Sequence, residues 1–86
     1  MKRCVCAVFD SAAMVFGSPI FTASPGVAMR SFSDEVNRAS PDNALNQHPE
    51  DFVLHWLAEY DDATVVFNQP EGGMRVLARG KDVKNG

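Results

Sequence analysis

The sequence has few of the features that mark the common classes of secreted, membrane and zinc proteins. Cys4 and Cys6 are its only cysteines. They are too close along an extended chain for a relaxed disulfide and too few for a structural zinc site. The apolar run at residues 4–9 ends at Asp10, and no run approaches the roughly 20 apolar residues of a membrane span. We therefore expect a cytoplasmic protein without a secretion signal, a membrane segment or a disulfide.

Catalytic fingerprints are missing as well. The chain contains no Gly-x-Ser-x-Gly sequence, phosphate-binding loop or dinucleotide fingerprint. His48, Glu50, Asp51 and His55 could serve metal or acid–base chemistry, but three of them flank Pro49, where a single helical turn explains them. We expect no enzymatic activity, no metal and no cofactor. A metal-dependent enzyme built on His48, Asp51 and His55 remains the third hypothesis.

Basic residues are scarce in the middle of the chain. From residue 34 to residue 71 there are nine acids and a single base, Arg38, whereas Lys2, Arg3 and most other bases lie near the two ends. The net charge of −3 argues against a protein that coats nucleic acid, which needs an excess of positive charge. An acidic middle between basic ends could steer a charged partner. A solvated surface is the simpler interpretation.

The length of 86 residues fits one domain, residues 1–86, with a thin core that a homodimer could help to cover. The continuous apolar run at residues 4–9 is typical of a central strand covered on both faces. Residues 11–18 are small and interrupted by glycine, which favours a loop. Residues 19–22 suit a brief extended segment at a sheet edge, because Pro19 cannot donate a backbone hydrogen bond.

Ser24 and Pro25 predict the start of a helix, with serine as N-cap and proline at the first helical position. The helix should run to about residue 38. Apolar side chains at i, i+4 and i+8 spacing give it one face that can pack on the sheet. This stripe consists of Ala28, Phe32 and Val36, with Met29 beside it.

Residues 52–60 are ambiguous, because their apolar side chains fit either the alternation of a strand or one face of a helix. The acidic turn at Asp61 and Asp62 and the β-branched run that follows favour a β-hairpin. We expect Trp56 and Leu57 to pack in the core with the helix stripe. The predicted fold is α+β, with one helix (about 25–38) packed on a small antiparallel sheet that contains the hairpin (about 52–67).

The remaining segments are predicted from their composition. Residues 40–47 are polar and rich in turn formers, which indicates a surface connection. Residues 74–78 could add a last short strand. From about residue 79 the chain is predicted to be a frayed basic tail.

Four spaced motifs carry a family resemblance. They are Phe-Asp-Ser at residues 9–11, Pro-Ile-Phe at residues 19–21, Gly-x-Ala-x-Arg-x-Phe-x-Asp-x-Val-Asn at residues 26–37, and His-Pro-Glu-Asp-Phe-x-Leu-x-x-Leu-x-x-Tyr-Asp-Asp at residues 48–62. In this order and spacing the chain resembles the small nonstructural protein of gokushoviruses, which are microviruses with single-stranded DNA genomes. The resemblance implies a phage protein of the host cytoplasm, absent from the virion, that takes part in synthesis of the single-stranded genome. It implies no catalytic residue.

The first functional hypothesis is therefore a non-enzymatic protein that supports viral DNA replication by contacting the replication machinery or single-stranded DNA. Exposed aromatic rings could stack on bases, and the helix start near Gly26 could offer N–H groups to an anion. The alternative is that Arg30 is simply solvated and Trp56 fills the core. Candidate DNA-binding residues are Lys2, Arg3, Arg30, Arg75, Arg79 and Lys81.

The second hypothesis is a protein-interaction module that binds and modulates a host factor. Its candidate contact is the acidic end of the hairpin, formed by Glu59, Asp61 and Asp62. Neither hypothesis requires a membrane.

Overall fold

The computed structural model describes residues 1–85, which form an antiparallel sheet with three short or medium helices on one side. The strands are β1 (Lys2–Asp10), β2 (Val15–Phe16), β3 (Ile20–Thr22), β4 (Phe52–Asp61), β5 (Val66–Asn68) and β6 (Arg75–Arg79). The helices are α1 (Pro25–Asn37), α2 (Ala44–Gln47) and α3 (Gly80–Val83), and a 3-10 turn spans Pro49–Asp51. The predicted α+β class is confirmed, although the described chain has more helices than the one predicted.

The two long strands β1 and β4 form the centre of the sheet and pair along their whole length, from Lys2 opposite Asp61 to Asp10 opposite Phe52. The short strands share the outer edges. β2 and β3 pair with opposite ends of β1, and β5 and β6 pair with opposite ends of β4. The strand assignment of residues 52–60, the central position of residues 4–9 and the short edge segment after Pro19 are thereby confirmed.

Helix α1 begins as the sequence predicts. The Ser24 hydroxyl accepts a hydrogen bond from the backbone N–H of Val27, and Pro25 occupies the first turn. Ala28, Phe32 and Val36 are buried against the sheet. Their partners in the core are Cys4, Cys6, Phe52 and Leu54, with Val8, Leu45, Trp56, Leu77, Ala78 and Val83 partly buried around them.

Two core predictions are wrong. Met29 stays 39% exposed and does not widen the apolar stripe. Leu57 lies outside the core cluster because the pairing of β1 and β4 shifts there, with Cys6 opposite Trp56 and Val5 opposite Ala58. Such a β-bulge exchanges the faces of the residues that follow it.

The connection at residues 40–47 is more structured than predicted. Asn43 is only 4% exposed, and its side-chain amide donates to the carbonyl oxygens of Glu35 and Arg38 at 2.7 and 2.9 Å. Its side-chain oxygen accepts from the N–H of Leu45 and so caps α2. An asparagine that joins the end of one helix to the start of the next looks, in sequence, like any turn former.

Two further segment predictions are corrected. The predicted loop at residues 11–18 contains β2, because Phe16 pairs with Phe9 and closes a short hairpin. The predicted frayed tail contains α3, which packs beside α1 and the 3-10 turn. Gly80 lies so close to the carbonyl of Pro49 that only a residue without a Cβ fits. The last tail residue, Gly86, lies outside the described residues.

Candidate nucleic-acid interface

The face of the sheet opposite α1, here called the open face, carries most of the aromatic side chains. Along β1 the even-numbered residues from Cys4 to Val8 point to α1, and the odd-numbered residues point to the open face. Within residues 1–85, the core cluster to which the helices contribute lies wholly on the face of the sheet that α1 covers. The open face is therefore covered by side chains only.

One group of rings, the first triad, consists of Phe9, Phe16 and His55. The ring centres of Phe9 and Phe16 are 4.8 Å apart, and the imidazole of His55 meets the Phe16 ring edge-on at 5.2 Å. Phe9 and Phe16 are paired residues of β1 and β2, and His55 is opposite Ala7 on β4. Cross-strand pairing therefore fixes the triad.

The second triad consists of Phe21, Tyr60 and Phe67. Tyr60 and Phe67 are paired residues of β4 and β5 with ring centres 4.6 Å apart. The Phe21 ring on β3 stands edge-on to Tyr60 at 5.7 Å. Tyr60 reaches the open face because the bulge at Leu57 has reversed the alternation of β4.

Between the triads the open face is apolar. Val5 and Ala7 are 5% and 1% exposed, yet neither belongs to the core cluster under α1, so the aromatic rings must cover them. Three of the four edge strands, β2, β3 and β5, each carry one accessible ring: Phe16 is 44%, Phe21 48% and Phe67 58% exposed. Accessible rings above a small-residue floor offer faces on which planar groups can stack.

His55 contributes an imidazole to this face. Burial, followed by the charge of Arg79, holds the pKa of His55 below its ordinary value. Its Nδ1 atom is buried and has no hydrogen-bond partner among the described residues. The imidazole is therefore neutral near pH 7, and its ring serves the triad as an aromatic surface.

The six basic residues that were predicted to bind DNA do not form one patch. Arg79 lies on the open face, since it pairs with Val53 beside His55. Arg3 is also on that face, with Nε 3.4 Å from a carboxylate oxygen of Asp62. The other four are elsewhere: Lys2 near Glu59, Arg30 exposed on α1, Arg75 over the Trp56 ring at 4.6 Å, and Lys81 exposed on α3.

The three predicted partner-binding acids meet the start of β1. Asp62 accepts a hydrogen bond from the α-amino group of Met1 at 2.8 Å, and Glu59 lies 4.0 Å from the Lys2 ammonium. Asp61 lies 3.8 Å from the same α-amino group. The bond from the amino group, together with Arg3, holds the pKa of Asp62 below its ordinary value. These carboxylates are balanced within the molecule rather than presented as an uncompensated acidic surface.

The remaining polar cluster surrounds the 3-10 turn. Side chains of His48, Glu50 and Asp51 bring ligand atoms within 4.8 Å of one another, so they could hold a metal ion. His48 and Glu50 are largely exposed, with the His48 Nδ1 atom 3.9 Å from the carboxylate of Glu50. His55, the other histidine of the metal hypothesis, belongs to the first triad instead.

A cavity of about 170 Å³ lies under α1, on the other side of the sheet. Its walls are mostly aliphatic, and its polar members are Ser31 and Glu35. Arg38 holds the Glu35 carboxylate at 2.6 Å and lowers its pKa. Of the two buried thiols, that of Cys6 stays protonated, because burial and its contact with Cys4 raise its pKa to about 12.

Sequence reasoning anticipated that rings could stack on bases but did not say which ones. The signal was available in part. Phe9 has the opposite parity to Cys4 and Cys6 in β1, which places it on the other face. Phe16 and Phe67 lie in strands of two and three residues, which are too short to show an alternation. The bulge that turns Tyr60 outward leaves no sequence signal either.

Comparison with known proteins gives a match over nearly the whole chain. The sequence model of the family described as Phage ORF5 protein matches residues 4–83. No curated protein and no solved structure matches the chain. Among residues 1–85, no helix combines the length and the apolar character needed to cross a membrane.

Proposed function

Because this chain belongs to the Phage ORF5 protein family, we propose that it is a non-enzymatic phage protein that supports replication of a single-stranded DNA genome. It acts in the host cytoplasm and binds single-stranded DNA on the open face. The motifs at residues 26–37 and 48–62, which resemble those of gokushovirus nonstructural proteins, support a microvirus as the source.

The observation that carries the proposal is the pair of aromatic triads on the open face. Proteins that bind single strands without sequence preference stack bases on aromatic side chains of a sheet or barrel. Here Phe16, Phe21 and Phe67 are accessible although the chain has a core on the other side to bury apolar rings. An exposed aromatic surface of this kind marks a place of contact.

Paired DNA fits this surface poorly. In a duplex the base faces are already stacked, so flat aromatic rings have nothing to stack on without opening the helix. Coating a duplex would instead require a dense array of basic side chains. The open face offers Arg79 and Arg3, and Arg3 is shared with Asp62.

The test is a fluorescence anisotropy titration with single-stranded and double-stranded oligonucleotides over a salt series. We expect tighter binding of the single strand. The logarithm of its affinity should fall with the logarithm of salt concentration with a slope of only about −0.7 to −1.4, as for one or two phosphate contacts.

The same titration distinguishes DNA binding by the open face from DNA binding by the basic residues outside it. A charge-removing variant of the outlying residues, Arg30→Gln with Lys81→Gln, serves as the control and should leave the affinity nearly unchanged. If the salt slope is steep and this control variant abolishes it, the DNA binds to the dispersed basic residues instead of the open face. Failure to bind either form of DNA at low salt would reject the proposal.

The host-factor hypothesis makes a different prediction. Asp62→Asn would weaken its acidic contact, whereas single-strand binding should hold or strengthen, since the variant no longer neutralises Arg3 on the open face. A host protein whose binding is lost in Asp62→Asn, in a chain that does not bind DNA, would favour that hypothesis.

A further inference from the structure

We propose that the two triads are separate base-stacking stations, which hold two bases of the same single strand a few nucleotides apart. This inference rests on the proposed binding of single-stranded DNA and specifies how the open face would achieve it. The strand would run along β1 over the aromatic rings that cover Val5 and Ala7. Its sugar–phosphate backbone would pass the edge where Arg79 supplies a positive charge.

The spacing of the stations follows from the register of the sheet. Phe16 is opposite Phe9, Phe21 is opposite Val5, and Phe67 is opposite Tyr60, which is itself opposite Arg3. The accessible rings of the second triad therefore lie between four and six residues from Phe16 along β1, which is about 13 to about 20 Å of strand. Stacked nucleotides of one strand rise about 3.4 Å each, so this distance corresponds to about four to about six nucleotides, and to fewer when the bases are splayed apart.

The stations differ in detail. The second triad presents the most accessible ring, Phe67, tilted by 35° against Tyr60. The first triad presents Phe16 beside a neutral His55 and near Arg79. None of the triad side chains is an acid, so no charge of these rings repels the phosphates. The charged acids nearby, Asp62 above all, are bound to Arg3 and the α-amino group.

A second copy of the chain would use this surface less well. The three accessible phenylalanine rings leave about half of their area open, which amounts to roughly 300 Å² for rings of this size. A standard protein interface needs about 800 Å² per partner. The rings alone supply less than half of the area that a stable dimer buries, whereas a few stacked bases need only the rings.

The experiment combines oligonucleotide length, abasic sites and single-station variants. Oligothymidylates from about 2 to about 12 nucleotides are titrated against the full chain by anisotropy. We expect the affinity to rise steeply until both stations can be filled and only slowly afterwards. An abasic site is then moved position by position along a short oligonucleotide. Binding should weaken most when the abasic site removes a base that one of the two stations would hold.

Substitutions assign each station. Phe67→Leu and Phe16→Leu keep an apolar side chain but remove the ring, and each should weaken binding by about 5- to 150-fold. Unlike Phe67→Leu, Phe67→Trp should keep the affinity of the native chain, because tryptophan also offers a stacking surface. Met29→Leu is the matched control, since Met29 is 39% exposed on α1, and it should leave the affinity unchanged.

The outcomes distinguish this inference from the proposed function. Binding of single strands that is indifferent to abasic position and to Phe67→Leu would overturn the two stations and leave the replication role intact. Absence of DNA binding would overturn both. Light scattering that shows a dimer which Phe67→Leu dissociates would assign the open face to a second copy.

Discussion

The two faces of the sheet are built from the same strands and differ in what covers them. Under α1 the side chains are mostly aliphatic or thiol groups, and Leu54, Val36 and Cys6 are completely buried. On the open face the side chains are aromatic, and the accessible ones lie on the short edge strands. A side chain that is needed for folding is removed from water, whereas one that is needed for contact must remain accessible. The faces should therefore respond differently to substitution.

The largest loss of stability is expected for Phe32, on the face that α1 covers. Phe32→Ala empties the centre of the core under α1, where Phe32 is 4% exposed, and should lower the free energy of unfolding by about 3–5 kcal/mol. For a chain of 86 residues this loss approaches the whole stability. Urea denaturation followed by circular dichroism measures it, and a near-native unfolding midpoint would contradict the packing of α1 on the sheet.

The second prediction concerns the end of the helix-covered face. Gly80→Ala places a Cβ against the carbonyl oxygen of Pro49, so α3 and the 3-10 turn must separate. We expect a loss of about 1–3 kcal/mol. Gly26→Ala is the control, because the nearest atom to its Cβ would be the Ser24 hydroxyl at 3.8 Å, and it should be neutral or stabilising. Equal stability of the two variants in urea would show that the tail does not dock.

The contrast between the faces also explains how far the sequence could predict the fold. The capped stripe of α1 and the apolar run of β1 are local patterns, and both were confirmed. The docking of α3 depends on the close approach of Gly80 to Pro49, which are 31 positions apart in sequence, so local patterns do not reveal it. The open face was missed for the same reason, because the Leu57 bulge and the short edge strands obey pairing rather than periodicity.

A smaller effect on stability is expected for the open face. Phe67→Ala removes a ring that is 58% exposed and loses a cross-strand contact with Tyr60. Such a contact contributes about 0.2–1 kcal/mol. The variant should therefore unfold close to the native midpoint while its DNA affinity falls. If Phe67→Ala unfolds as readily as Phe32→Ala, the open face is part of the core and the distinction between the faces disappears.

The last prediction uses His55, whose pKa is lowered by its burial on the open face. Its pKa is lowered in the fold from the ordinary 6.5, so the folded chain binds its proton more weakly than the unfolded chain does. Stability from the neutral imidazole is fully present above about pH 6.5 and is lost as pH falls through the lower, folded pKa. Urea midpoints measured from about pH 7.5 to about pH 5 should fall accordingly, above the range in which Asp62 titrates.

His55→Phe should remove this component, because phenylalanine keeps an aromatic ring in the first triad without a proton to bind. His48→Gln is the control: His48 is 64% exposed beside Glu50, and its replacement should preserve the pH dependence of the midpoint. If His55→Phe retains the full dependence, or His48→Gln abolishes it, the imidazole of His55 is not held neutral by burial. The pH dependence of the midpoint would then come from other titratable groups, and it would not report on the packing of the first triad.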